Sequence, residues 1–191
     1  MKKYLALIFI FIFSLSGFGQ KLTFALLTDL HVSPKSISDT ALHQIVKEIN
    51  QTEYDFVVVT GDLTNAGSNA ELKAVSEALS QLNKPCYAIP GNHETNWSES
   101  AGLYFNRLFG NDRFLFRKNG FAMVGMNTGP FMKMGDGIVK QEDLQWLSRE
   151  LKNVKANKEI LISFSHYPLA EGLSNWDRVT EILKGSNCIL S

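Results

Sequence analysis

Cysteine is scarce in this 191-residue chain, with only two, so a disulfide network cannot stand in for a hydrophobic core. An excess of charge of one sign is also missing, since 19 Lys and Arg face 19 Asp and Glu. Setting aside residues 1–19, which hold Lys2 and Lys3 but no acid, leaves 17 basic against 19 acidic side chains, a net of −2. A chain so close to neutral lacks the basic stripe that nucleic acid or an anionic membrane surface requires of a partner. Repeats, low-complexity tracts and linkers are absent as well. The 45% hydrophobic and 20% charged content excludes disordered and collagen-like chains. It leaves ample apolar chain for one domain with a sizeable core.

No apolar run is long enough to cross a bilayer. The greatest begins at Tyr4, and even counted to Phe18 it has 15 residues, where a span needs about 20. Lys2 and Lys3 precede it, and Gly17 and Gly19 stand at −3 and −1 of a cut after Gly19. That is the secretory pattern. The segment 1–19 therefore reads as a cleaved signal peptide, and residues 20–191 as the domain. The expected product is secreted or periplasmic, with no stable membrane anchor after cleavage. No cysteine near the cut argues for a lipid-attached form. Export permits a disulfide between Cys86 and Cys188, but two buried free thiols are the plainer reading. Asn50-Gln-Thr52 and Asn96-Trp-Ser98 fit the glycosylation sequon, which matters only in a host that glycosylates.

Beyond residue 20, strand-length apolar runs alternate with amphipathic stretches. Strands are expected at Leu22–Leu27, Phe56–Val59, Cys86–Ile89, Ile160–Phe164 and Asn187–Leu190. Helices are expected after a cap at Ser38 or Asp39, over Ala70–Leu82, Glu99–Phe109, Gln141–Leu151 and Trp176–Leu183. Asn119-Gly120 between Phe114–Phe116 and Phe121–Met126 signals a hairpin. Strand–helix–strand repetition implies an α/β fold with right-handed crossovers and a mainly parallel sheet. Residues 127–139 read as a glycine-rich loop. Its Phe131, Met132 and Met134 suit a site lid and a plain surface connector equally.

The polar residues cluster where these strands end. Thr28-Asp29-Leu30-His31 follows the first, Thr60-Gly61-Asp62 the second, Pro90-Gly91-Asn92-His93-Glu94 the third, and Ser165-His166-Tyr167-Pro168 the run at 160–164. Sites in open α/β sheets form beyond the carboxyl ends of strands. Three of the four histidines lie at these ends; His43, on the first helix, reads as an ordinary surface or boundary residue. Each fragment alone has a structural reading as a turn or helix entry. Their joint placement at four strand ends argues for function.

In this order, Asp29-x-His31, Gly61-Asp62, Gly91-Asn92-His93-Glu94 and His166 resemble the signature blocks of the calcineurin-like metallophosphoesterases, over nearly all of the chain beyond the leader. The first three blocks are specific together, and the lone histidine block less so. The resemblance implies a layered α/β/β/α sandwich and a dinuclear centre of two divalent metal ions. Such a pair, roughly 3.5–4 Å apart, acidifies a water and clamps phosphoryl oxygens. Asp62 would bridge the metals, Asp29 and His31 would bind the first, and Asn92 and His166 the second. Asn92 and His93 would contact substrate, His93 as the catalytic residue near the leaving group, a general acid or a charge partner for phosphate. Glu94 would support the site rather than ligate. Mixed oxygen and nitrogen ligands suit manganese, iron or zinc without choosing among them.

The sequence departs from the family pattern in one respect. The final Gly-His-x-His block, which adds a histidine to each metal, is missing, and Ser191 follows an apolar strand at the place where that block would begin. The expectation is a fragment whose intact form continues with the pair. The position three residues after the bridging aspartate, a tyrosine in purple acid phosphatases, is Asn65 here, which argues against an iron–tyrosinate centre. The leading expectation is an exported metal-dependent phosphoesterase acting on a small phosphomonoester or phosphodiester. A catalytically silent metal- or phosphate-binding module is the reading if Ser191 is the true end. A nuclease of the same superfamily is disfavoured by the charge balance.

Overall fold

The computed structural model describes residues 21–131 and 135–190. The leader expected at 1–19, and the lid residues Met132 and Met134, lie outside the described residues. The chain runs β1 (Phe24–Leu27), α1 (Ile37–Gln51), β2 (Phe56–Thr60), α2 (Asn69–Leu79), β3 (Cys86–Ile89), α3 (Leu103–Phe109), β4 (Phe114–Lys118), β5 (Phe121–Gly125), α4 (Gln141–Ala156), β6 (Ile160–Phe164), α5 (Trp176–Leu183) and β7 (Asn187–Leu190).

Two sheets form rather than one mainly parallel sheet. The first is parallel in the order β1-β2-β3. The second has the order β4-β5-β6-β7, with β4 antiparallel to β5 and the remaining pairs parallel. The hairpin makes β4 the antiparallel strand of the second sheet, because Asn119 and Gly120 at φ 51° and 79° form the two-residue turn that returns the chain. Strand alternation then sorts side chains into three core layers. Val57 and Val59 face the helices α1–α3, while Phe56 and Val58 face the second sheet. Ala122 and Val124 likewise face α4 and α5, with Phe121 and Met123 pointing inward. The result is the expected α/β/β/α sandwich.

Aromatic rings fill the space between the sheets. Phe56 stacks on Phe24 at 5.0 Å and meets Phe116 edge-on at 4.9 Å, and Tyr87 stacks on Phe116 at 3.7 Å. Each such pair adds about 0.5–1.5 kcal/mol beyond its buried area. Cys86 packs on the helix side of the first sheet and Cys188 on the helix side of the second, so no disulfide joins them. Burial pushes the Cys86 thiol up to about 12.

Some boundaries differ from the sequence reading. Ser36, in extended conformation, caps α1 by accepting from the Asp39 amide, which places Ser38 and Asp39 inside the helix. Residues 99–102 turn, and α3 begins only after Gly102 at φ 86°. Helix α4 runs on to Ala156 because Val154 continues its buried stripe. Among the described residues no helix is long and apolar enough to cross a membrane.

Asp112 ties the second layer to the loop that begins at Asn127. It accepts from Asn127 Nδ2 at 2.9 Å and from Lys140 Nζ at 3.1 Å, and Asn127 in turn accepts from the Gly129 amide at 2.8 Å. Burial opposes the charge of the carboxylate, but Asn127, Lys140 and Arg113 outweigh it and hold its pKa below the usual value. A depressed carboxylate contributes stability above its unfolded pKa of about 3.9, and loses it as pH falls through the folded value. Asp112→Ala should therefore cost about 1–3 kcal/mol at pH 7. The gap to the parent, read by urea unfolding, should close as the pH drops below about 4.

Candidate metal centre

The pairing of β1 with β2 continues past the strand ends. The Asp29 amide donates to Gly61 O at 3.2 Å, His31 to Asp62 O at 3.0 Å and Val32 to Leu63 O at 3.0 Å. Along this stretch Asp29, His31, Gly61 and Asp62 all have positive φ, at 52°, 44°, 84° and 47°. Left-handed conformations at three non-glycine residues are costly. The kinks turn Asp29 and His31 beside Asp62 rather than letting them alternate as strand residues do.

The third strand end is fixed by Glu94, which is buried among backbone donors. One oxygen accepts from the Thr64 amide and hydroxyl at 2.9 and 2.7 Å, and the other from the Gly91 amide at 3.0 Å. Glu94 thus clamps the loops after β2 and β3 together. Glu71 does the same for the β1 loop, accepting from Ser33 Oγ at 2.8 Å and the Ala66 amide at 2.9 Å. The fourth strand end arrives from the other sheet. His166 donates through Nδ1 to Thr60 O at 2.9 Å. A carbonyl only accepts, so the proton is on Nδ1, and in the neutral ring Nε2 carries a free lone pair.

These loops converge on Asp62. Oδ1 lies 3.5 Å from His166 Nε2, and Oδ2 lies 3.7 Å from His93 Nε2 and 4.0 Å from His31 Nε2. Oδ1 also accepts from the His93 amide at 3.1 Å. Asn92 Oδ1 is 3.3 Å from His166 Nε2, and Asp29 Oδ1 is 3.9 Å from His31 Nε2. Every residue expected in the site, Asp29, His31, Asp62, Asn92, His93 and His166, is brought there, and His43 is not, facing Asp39 on α1. Two groups have ligand atoms close enough to share an ion, His31–Asp62–His93 and Asp29–Asp62–His166. The grouping differs from the sequence expectation, because His93 stands as near Asp62 as the expected ligands do.

The donor set suits a cation. Burial opposes the charge of Asp62, yet His166 and the His93 amide prevail and keep its pKa low. Burial likewise opposes a charged His166, but Asp62 outweighs it and raises the imidazole. Buried His93 Nδ1 has no hydrogen-bond partner. Two carboxylates, an amide oxygen and imidazoles on one patch are the oxygen and nitrogen donors that first-row divalent metals accept.

A family model described as calcineurin-like phosphoesterase matches residues 22–189. The chain belongs to that family. Among relatives, a probable glycerophosphodiester phosphodiesterase of Arcobacter nitrofigilis is 29% identical over 148 residues, covering 72% of this chain and 51% of its own. The 3′,5′-cyclic adenosine monophosphate phosphodiesterase of Escherichia coli K12 is 26% identical over 129 residues, covering 68% and 46%. The chain thus spans about half the length of these relatives. The crystal structure of a dimetal phosphatase from Danio rerio superposes with a TM-score of 0.69 at 17% identity, covering 88% of this chain and 79% of that one. That likeness establishes the shared fold.

Nothing in the residue pattern points to the Thr60 carbonyl, since any residue supplies one, or to Trp97, which stands out there only within a sequon. Its ring centroid is 4.7 Å from that of His93. Gly91 matters for the opposite reason, because a Cβ there would collide with the Asp62 carboxylate and amide. Gly91→Ala should weaken Mn²⁺ binding, measured calorimetrically, by about 10–100-fold, the range for displacing a ligand's support.

Proposed function

We propose that this chain forms the metal-binding core of a phosphoesterase that hydrolyses a small phosphate ester with two divalent metal ions. The observation that carries the reading is the sharing of Asp62 by both ligand groups. Asp29, His31, Asp62, Asn92 and His166 would hold the metals. When bound, the metals would supply positive charge for the phosphoryl oxygens and a nucleophilic water at neutral pH.

The chain's own residues do the rest. Asp62 would balance the charge of both cations from one carboxylate. His166, fixed by Thr60 O, presents Nε2 toward Asp62 and Asn92. Asn92 contributes a neutral oxygen, which adds no repulsion toward an anionic substrate. His93 would protonate the alkoxide as the ester P–O bond breaks and water's oxygen joins phosphorus, and the proton lost by that water would pass to solvent, from which His93 is reprotonated. The names of the two bacterial relatives favour a phosphodiester over a monoester.

Bis(p-nitrophenyl) phosphate should be cleaved with Mn²⁺ and spared after chelation. His93→Ala should lower kcat by about 10²–10⁴-fold while bound metal, counted by atomic absorption, stays nearly constant. Loss of metal in that variant would make His93 a ligand instead, and no metal-dependent turnover would favour a silent binding module.

The leader pattern at 1–19 supports export of the protein. N-terminal sequencing of the product from the periplasm or medium should begin at Gln20; recovery of an intact Met1 start would refute cleavage.

A further inference from the structure

Trp97 is 60% exposed, which is unusual for a side chain that is highly buried on average. Its position is nonetheless held. Its amide donates to Asn92 O at 3.1 Å, and Glu99, two residues on, donates its amide to Gly67 O at 3.0 Å and accepts from the Asn69 amide at 3.0 Å. The indole therefore projects from a fixed backbone that starts at a metal-site residue. Ring contacts lead from the centre outward, His31 to His93 at 4.8 Å and His93 to Trp97 at 4.7 Å. His93 is buried and Trp97 open, so the series ends at solvent with an aromatic surface.

Two other aromatics show the contrast. Trp146 lies under the Arg113 guanidinium at 5.1 Å. Tyr167, edge-on to His166 at 5.5 Å, donates its hydroxyl to Gly135 O at 3.4 Å. Both have evident structural duties. An open indole beside the proton-donating imidazole has a use if the ester's alcohol carries a flat ring.

We propose that Trp97 is a specificity-determining platform on which the flat ring of the leaving alcohol, such as the base of a nucleoside or the ring of an aryl alcohol, stacks while the phosphate sits at the Asp62 centre. The placement on the leaving-group side rests on the phosphoesterase reading and on His93 as its acid. A flat hydrophobic face gains from a planar ring and little from a glycerol chain, because stacking scales with shared π surface.

The test compares 5′-AMP with glycerol 3-phosphate, both binding through a phosphate, on the Mn²⁺-loaded chain by isothermal titration calorimetry. Trp97→Ala should lower the ratio of AMP to glycerol 3-phosphate affinity by about 5–150-fold, the range for losing one base–aromatic stack. Trp97→Phe should recover most of the ratio. AMP should also quench tryptophan fluorescence in the parent and not in Trp97→Ala. An unchanged ratio, or equal losses for both ligands, would overturn the platform. The reaction fails separately: absent Mn²⁺-dependent turnover would remove the hydrolase reading, while a ratio that still depends on Trp97 would uphold the platform.

Discussion

The arrangement depends on one carboxylate facing two ways. Asp62 comes from the end of the central strand of its sheet, and each of its oxygens meets imidazole from a different direction. Strands on both sides of β2 end at the same level, so their loops have no choice but to flank it. The second sheet adds His166 across the aromatic layer, and its bond to Thr60 O fixes the relative position of the sheets at the site. The core between the sheets therefore acts on function as well as stability, because its thickness sets how far His166 stands from Asp62.

Strain and clamps appear together for the same reason. Asp29, His31 and Asp62 hold left-handed conformations that each cost free energy. They persist because neighbouring backbone bonds and two buried glutamates over-determine them. Glu94 joins two loops through the Thr64 and Gly91 amides, and Glu71 joins two through the Ser33 hydroxyl and the Ala66 amide, so these loops cannot relax without stranding a buried charge. The fold itself thereby fixes the geometry of Asp29, His31 and Asp62.

Much of this was legible in the sequence where local pattern and tertiary role agree. Cys86–Ile89, Ile160–Phe164 and Trp176–Leu183 read correctly because their apolar runs are bounded by strong breakers or caps. The site residues were legible because short polar motifs follow buried strands. Ser36 was missed as a cap because serines at 33, 36 and 38 compete, and only backbone conformation selects one. The false start of a helix at Glu99 arose from helix-forming composition overridden by a turn anchored to Gly67. Nor does a pattern along the chain reveal which histidine lies near which carboxylate: the grouping of His93 with His31 follows from loop curvature after β3.

The choice of partners separates carboxylates that serve the fold from those that serve the site. Asp55 pairs with Lys118, Asp112 with Lys140 and Asp143 with Arg113, each an aspartate neutralised by a permanent cation. Asp62 is buried too, yet its ion-pair partners among the described residues are His31, His93 and His166. Imidazoles charge only on protonation, and neutral imidazoles are metal donors. A lysine or arginine at the same place would stabilise Asp62 and exclude a metal by occupying its position with fixed charge. Surrounding a buried carboxylate with imidazoles rather than fixed cations leaves the balancing charge to be supplied from outside, which is the arrangement a divalent cation requires of its site.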